Sequence, residues 1–154
     1  VYFDLLKVPP DDDSGLIGNL STTSFSNERV HIVIRDTAGA GGVYRTLFKK
    51  SGATNELESS FSATTGLHTI ITSSRNSTLS MYVDGEVVGS TGLPSGTFDG
   101  SGEALVVGSY YDFSDSRSLK HHHYLSGLTY RAWSDAEIAL FSRDPFAMLR
   151  PAGF

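Results

Sequence analysis

The segment GLTYRAWSDAEIALFSRDPFAMLRP, residues 127–151, carries the most complete local structure signal in the chain. Ser134 is suited to cap a helix, and Glu137 follows three residues later, where its carboxylate can reach back to the cap N–H. Trp133 and Ile138 occupy the two positions of a hydrophobic staple, which fixes the angle at which the chain enters a helix. The segment therefore predicts a helix that begins directly after Ser134.

The predicted helix is short and closes the domain. Pro145 disfavours helical backbone at Asp144, so the helix covers residues 135–143. A helix of that length is marginal alone, and we expect Ile138 and Phe141 to pack against a sheet. The apolar residues that follow Pro145 either seal the edge of this domain or contact a neighbouring subunit.

The residues before the helix form short segments separated by turn residues, a pattern typical of β-strands. In TLSMYVDGEVVGS, residues 78–90, apolar and polar residues alternate, and Asp84-Gly85 suits a type I′ hairpin turn. Asp84 is therefore interpreted as a turn residue rather than as a catalytic or metal-binding one. The other predicted strands are 1–8, 16–25, 29–36, 43–50, 57–63, 67–74, 104–111 and 119–133, with a turn at 11–15 and a possible break near Gly127.

Nine to eleven strands at this spacing predict an all-β fold, an antiparallel β-sandwich or jelly roll with one short C-terminal helix. The 154 residues fit a single domain, residues 1–154. Because the chain starts at Val1 without an initiator Met, we expect a fragment or processed form of a longer protein.

Residues 127–151 also resemble the closing segment of concanavalin A-like, laminin-G-like jelly-roll domains. Trp133 stands where leucine is usual, and Asp144-Pro145-Phe146 stands where Asn-Pro-Trp is usual. The positions that match are Gly127, Arg131, Ala132, Ser134, Glu137 and Ile138.

Upstream segments extend this resemblance over roughly residues 29–150. RTLFKK (45–50), LHTIITSSRNSTLSMYVDGEVVGS (67–90) and ALVVGSYY (104–111) are similar to strands of the same family. The resemblance implies the jelly-roll fold. Its tail is frequent in such domains of bacteriophage virion proteins, which implies a virion protein.

Composition excludes several classes of function. The net charge is −5, which argues against binding to nucleic acid or to an anionic membrane surface. The sequence has no cysteine and no apolar run near the roughly 20 residues of a membrane span.

Catalytic motifs are also missing from the sequence. Glycoside hydrolysis in the glucanase branch of the family needs an E-x-D-x-E or E-x-D-x-x-E run, which would place an acid and a nucleophile on one strand face. Glu56 and Glu58 share a face but have no central Asp, and Glu103 is isolated. No nucleophile elbow, phosphate loop or HExxH motif occurs. We therefore expect no enzymatic activity.

The run His121-His122-His123 suggests a metal, because His121 and His123 share one face of a strand. Asp112 or Asp115 could supply a third ligand. The favoured interpretation is a polar strand whose histidines hydrogen-bond or stack at a subunit contact, which would make assembly pH-sensitive.

Calcium is the family's recurrent cofactor, and the loop around Asp99 superficially echoes a calcium-binding pattern. It lacks the EF-hand ligand order, so solvated loops are the favoured interpretation here and at Asp112 and Asp115. No cofactor is predicted, with calcium kept as the alternative.

Aromatic residues concentrate in the C-terminal third of the chain. An exposed tyrosine suits a sugar platform and a protein interface equally well. The candidates for either role, with the two histidines of the strand, are Tyr110, Tyr111, Phe113, Tyr124, His121 and His123.

Taken together, these features predict a non-enzymatic structural or adhesion module of a virion, either capsid decoration or tail-associated. It would act through contacts with other virion or surface proteins and form a homo-oligomer. The alternative is a lectin-like, carbohydrate-binding module of a secreted or cell-surface protein.

Overall fold

A computed structural model describes residues 1–6, 8, 13–20, 29–35, 42–50, 53–93, 104–107, 121–127, 129 and 131–150. These residues form ten strands, one α-helix and one 3₁₀ helix. The strands are β1 (Tyr2–Leu5), β2 (Asp13–Leu20), β3 (Arg29–Arg35), β4 (Val43–Lys50), β5 (Ala53–Ser62), β6 (Gly66–Arg75), β7 (Thr78–Val83), β8 (Glu86–Gly92), β9 (Ala104–Val107) and β10 (His121–Leu125). The helices are α1 (Asp135–Arg143) and the 3₁₀ helix Ala147–Leu149.

The strands form two five-stranded sheets. Sheet I has the order β10-β1-β6-β7-β8, and sheet II has the order β5-β4-β3-β2-β9. Every pairing between these strands is antiparallel, and the neighbours β10-β1-β6 and β2-β9 are joined by crossovers. The predicted fold class, an antiparallel jelly-roll sandwich with one short helix, is confirmed.

The core lies between the two sheets. Phe3, Ile70 and Met81 from sheet I and Ile34 from sheet II have no solvent exposure. Thr46 of sheet II is also fully buried, and its hydroxyl donates to the Met81 Sδ across the core at 3.2 Å. A buried hydroxyl with a partner avoids the penalty of an unpaired polar group, so the polar residue is accommodated between the sheets.

The hairpin between β7 and β8 has the predicted turn. Asp84 and Gly85 have φ values of 52° and 90°, as a type I′ turn requires. A Cβ at Gly85 would lie 3.2 Å from the Ser142 Cβ, so the helix also approaches the turn closely. Glycine is required here both by its own backbone and by its neighbour.

Helix α1 has the bounds that the sequence predicts, residues 135–143. The Ser134 N–H donates to the Glu137 Oε2 at 2.8 Å, and the Glu137 N–H donates to the Ser134 Oγ at 3.3 Å, forming a capping box. The Trp133 ring contacts Phe141, with centroids 5.2 Å apart. This contact lies almost one turn beyond Ile138, the partner that the staple pattern predicts.

Helix α1 covers part of the outer face of sheet I. Ile138 and Phe141 are 1% and 6% exposed, as expected for residues that anchor a short helix. The Arg75 Nη2 and the Tyr82 hydroxyl, both from sheet I, lie 3.2 and 3.4 Å from the Asp135 Oδ1. The helix is therefore held by apolar burial and by polar contacts at its first turn.

Strand boundaries differ from the sequence prediction where polar residues occur. β2 begins at Asp13, inside the predicted turn, and β5 begins at Ala53, four residues early. Both segments join their sheets through backbone hydrogen bonds, which polar side chains do not prevent. β1 ends at Leu5 and β10 covers only His121–Leu125 of the predicted 119–133.

None of the helices in the described part of the chain has the length and hydrophobicity that crossing a membrane requires.

Candidate functional site

Three aromatic side chains meet on the outer face of sheet I, beside its β10 edge. In β1, Phe3 and Leu5 are buried in the core, so Tyr2 points to the outer face. The Tyr2 and Tyr124 ring centroids are 5.3 Å apart, with an interplanar angle of 35°. The Phe146 ring, from the segment after α1, lies 5.9 Å from Tyr2 at 82°. We call Tyr2, Tyr124 and Phe146 the aromatic platform.

The backbone of β10 explains the position of Tyr124. Phe3 pairs with His123, but Tyr2 pairs with Leu125, so Tyr124 is the extra residue of a β-bulge. Bulges are common at sheet edges. Tyr124 alternates with the inward-facing His123 and so lies on the outer face beside Tyr2, and the bulge changes only its register, making Leu125 the residue that pairs with Tyr2.

The platform is open to solvent on both sides of Tyr2. Tyr124 is 47% exposed and Phe146 is 44% exposed, whereas Tyr2 between them is half-buried. Exposed rings with fixed neighbours lose little conformational entropy when a ligand stacks on them. The platform can therefore offer preformed apolar surface.

Polar groups flank the platform in the next row of the sheet. Asp4 pairs in register with His122 of β10 and with Leu67 of β6. The His122 Nδ1 lies 3.8 Å from the Asp4 Oδ2, and its ring lies 6.4 Å from Tyr124. This ion pair is loose, so the Asp4 carboxylate keeps capacity to accept other hydrogen bonds.

The other two histidines of β10 point the opposite way. Their rings are 5.6 Å apart, and His121 lies 6.2 Å from the ring of the fully buried Phe3. Neither ring nitrogen of His123 has a hydrogen-bond partner within the described residues. Burial, together with the charge of His121, lowers the pKa of His123. His121 and His123 therefore belong to the sandwich interior and not to the platform.

A metal site is not assembled in the described part of the chain, where no three His, Asp or Glu side chains are grouped to hold an ion. Asp99, Asp112 and Asp115 lie outside the described residues. The calcium and metal alternatives stay predictions.

A hydroxyl, an imidazole and a carboxylate also line up at one end of sheet I. The His68 Nδ1 lies 2.8 Å from the Asp84 Oδ2, and its Nε2 lies 3.2 Å from the Thr64 hydroxyl. The same Nε2 lies 2.9 Å from the Thr64 carbonyl oxygen. With an acceptor at each ring nitrogen, the doubly protonated ring makes the most hydrogen bonds, and that form cannot serve as a general base.

Electrostatics at this cluster agree with that geometry. The hydrogen bond to Asp84 raises the pKa of His68 against the opposing effect of burial. Burial alone would raise the pKa of Asp84, but the hydrogen bonds from His68 and Thr69 outweigh it and lower the pKa. Asp84 thus does more than form a turn, because it ties β6 to the β7–β8 hairpin.

The outer face of sheet II carries charges instead of rings. The Arg45 Nη2 lies 2.6 Å from the Glu56 Oε1, and its Nε lies 3.6 Å from the Glu58 Oε1. Arg35 binds the same Glu58 oxygen at 2.8 Å. Glu56 and Glu58 share a face, as predicted, but each binds a guanidinium. Both carboxylates are therefore engaged in ion pairs within sheet II.

The sequence prediction and the structure share one platform residue, Tyr124. Tyr110, Tyr111 and Phe113 lie outside the described residues. Tyr2 and Phe146 were not predicted. The alternation of Tyr2 with the core residue Phe3 was a usable signal, whereas the contact of Phe146 with Tyr2 joins opposite ends of the chain.

Comparisons with known proteins bear on the fold. No family model and no curated protein sequence matches this chain. The carbohydrate-binding module CBM40 of an IT-sialidase from Ruminococcus gnavus superposes with a TM-score of 0.63 at 14% identity, covering 92% of this chain and 79% of that one. An S-layer domain-containing protein from Clostridium thermocellum gives a TM-score of 0.42 at 19% identity, covering 89% and 66%, and this similarity carries no argument. The chain is thus a jelly-roll β-sandwich domain.

Proposed function

We propose that this domain is a non-catalytic carbohydrate-binding module of a secreted or cell-surface protein, and that it binds glycans on the aromatic platform. The observation that carries the proposal is the contact of the exposed Tyr124 ring with Tyr2, next to the polar pair Asp4–His122. The other predicted site residues, His121 and His123, have no direct part in it.

A sugar ring has a face of C–H groups and a rim of hydroxyls. The C–H face stacks on the electron-rich face of an aromatic ring, and the rim requires hydrogen-bond acceptors and donors nearby. Tyr124 and Phe146 supply the apolar surface, Asp4 supplies acceptors, and His122 and the tyrosine hydroxyl supply further polar groups. The platform therefore combines the two kinds of contact that a glycan needs.

The fold supports the same proposal indirectly. A module named for carbohydrate binding has this fold at low sequence identity. Fold does not determine function, so the platform and not the similarity carries the argument.

The alternative role in a virion stays a prediction from the sequence resemblance. Part of that resemblance is the tail at Asp144-Pro145-Phe146. In the structure Pro145 is buried and Phe146 contacts Tyr2 of its own domain. Of the two roles considered for the tail, these contacts favour sealing the domain's own edge.

A glycan array followed by titration calorimetry tests the proposal. We expect the native domain to bind at least one glycan and Tyr124→Ala to bind it at least about tenfold more weakly, the range of a lost aromatic anchor. Phe61→Ala is the matched control, because Phe61 is 45% exposed but lies on sheet II. That variant should bind as the native domain does.

Two results would overturn the proposal. One is the absence of binding to any glycan on the array, and the other is unchanged affinity in Tyr124→Ala. Sedimentation analysis of the same variant distinguishes a protein interface, because loss of an oligomer without any glycan binding would assign the platform to self-association.

A further inference from the structure

We infer that the aromatic platform accepts an uncharged sugar chain, bound across its rings at internal units, and discriminates against acidic sugars. This inference rests on the proposed glycan-binding function and specifies the ligand class of the same site.

The ring arrangement suits a chain rather than a single sugar. Tyr124 and Phe146 each contact Tyr2, with centroid distances of 5.3 and 5.9 Å and interplanar angles of 35° and 82°, so the two exposed rings are separate apolar surfaces of different orientation. Both flanking rings are nearly half exposed, so a ligand can extend past either side. Two exposed rings of different orientation can contact different units of one chain and leave the chain ends free.

The charge beside the rings favours a neutral ligand. Asp4 places a carboxylate in the row next to the platform, 28% exposed, where it can accept hydrogen bonds from sugar hydroxyls. A sugar carboxylate in the same position would meet a like charge.

One cation that could bind an acidic sugar, Arg150, is already paired with a carboxylate. Arg150 follows Phe146 closely in sequence, but it is bound to the Asp144 Oδ2 at 2.6 Å. No arginine or lysine of the described residues has a contact with the three rings. The net charge of −5 adds a general repulsion of anionic chains.

The test uses matched ligands that differ only in charge. The probes are neutral gluco-, xylo- and manno-oligosaccharides of increasing length, and the C6-carboxylated counterpart of each gluco- or manno-oligosaccharide that binds. Calorimetry with the native domain should show affinity that rises with length over the first few units. The neutral chain should bind at least about tenfold more tightly than its carboxylated form.

Added salt and one isosteric variant measure the electrostatic contribution to the discrimination between neutral and carboxylated chains. Raising the salt concentration from about 0.05 M to about 0.5 M should leave the affinity for the neutral chain nearly unchanged. It should reduce the difference in affinity between the neutral and the carboxylated chain. Asp4→Asn should likewise reduce the difference in affinity between the neutral and the carboxylated chain. Glu86→Gln is the control, since it removes an equal charge at the opposite edge of sheet I and should leave this difference unchanged.

The outcomes distinguish this inference from the proposed function. Equal or tighter binding of the carboxylated chain, or binding that does not depend on length, overturns the ligand class and leaves glycan binding in place. Exclusive binding of acidic glycans on the array has the same meaning. If no glycan of either kind binds, the proposed function itself fails and this inference fails with it.

Discussion

The two outer faces of the sandwich differ although both are built from antiparallel strands with alternating side chains. On sheet II the alternating positions hold Arg45, Glu56 and Glu58, whose charges bind one another. On sheet I the alternating positions near β10 hold Tyr2 and Tyr124, which stack on each other while Tyr124 still exposes nearly half of its surface.

The two faces differ in whether their side chains find partners within the domain. The guanidinium of Arg45 is only 8% exposed, and the carboxylates that bind it satisfy its charge within the domain. The rings of the platform have ordered neighbours but keep exposed apolar surface, which is unfavourable in water and becomes favourable when a ligand covers it. A face whose charges pair within the domain contributes to stability, whereas a face that keeps exposed rings is available to bind a ligand.

The largest expected effect concerns the helix that covers the rest of the sheet I face. Phe141→Ala should lower the free energy of unfolding by about 3–5 kcal/mol, because it removes a buried ring and leaves a cavity beside Trp133. Urea unfolding followed by circular dichroism measures the loss. Leu140→Ala, at the neighbouring position with 52% exposure, should change stability little. Equal effects of the two variants would contradict the view that one helix face is anchored.

The second prediction concerns the ion pairs on the outer face of sheet II. The double variant Glu56→Gln, Glu58→Gln should destabilise the domain by about 1–2 kcal/mol, because the buried guanidinium of Arg45 loses two anions. This loss of stability is smaller than the loss expected for a fully buried ion pair, because both carboxylates are more than a third exposed.

Arg45→Met is the informative counterpart in the same urea experiment. The two glutamates left without Arg45 can be hydrated, and the apolar methionine side chain suits the buried position. This variant should therefore lower the free energy of unfolding by less than the double variant does. The opposite order would show that sheet II does not depend on these carboxylates.

The third prediction concerns the start of α1. Ser134→Ala should cost about 1 kcal/mol because the Glu137 N–H loses its acceptor. Ser134→Thr should retain most of the native stability, since threonine caps through the same hydroxyl and can still donate to Glu137. Thermal unfolding of the three proteins distinguishes capping from a nonspecific effect of substitution, which would lower both variants equally.

The smallest effect is a pH dependence with opposite signs at two histidines of sheet I. The pKa of His68 is raised, so its stabilisation is complete below about pH 6.5 and is lost as the pH rises through the folded-state pKa. The pKa of His123 is lowered, so the unfolded chain binds more protons and stability is lost as the pH falls below about 6.5.

Two variants separate these contributions by urea unfolding between about pH 5 and pH 8. His123→Leu should lose less stability on acidification than the native domain does, and His68→Gln should lose less on alkalinisation. Parallel pH profiles for all three proteins would contradict both assignments.

Local signals were sufficient for much of the fold. The Ser134–Glu137 capping box and the Asp84-Gly85 turn depend on residues adjacent in sequence, and both form as predicted. The starts of β2 at Asp13 and of β5 at Ala53 were missed because backbone pairing decides them, with Arg35 for Asp13 and with Lys50 for Ala53, and the polar side chains there do not signal it.

The candidate site was less predictable for the same reason. Tyr124 was identified as an aromatic candidate, but which face of the sheet it occupies follows only from the pairing of β10 with β1. The inward direction of His121 and His123 likewise follows from the register with Phe3. Phe146 could not be assigned from the sequence, since its role arises from a contact with Tyr2.

That contact between Tyr2 and Phe146 has a consequence for how the domain is made. Residues near the two ends of this sequence build one surface, so the strand that begins the sandwich must wait for the last segment before its outer side is complete. During synthesis the ribosome still holds Phe146 after most of both sheets can pair, and contacts of such long sequence separation are slow to form. A nascent or clipped chain that lacks Phe146 would therefore present Tyr2 without this partner.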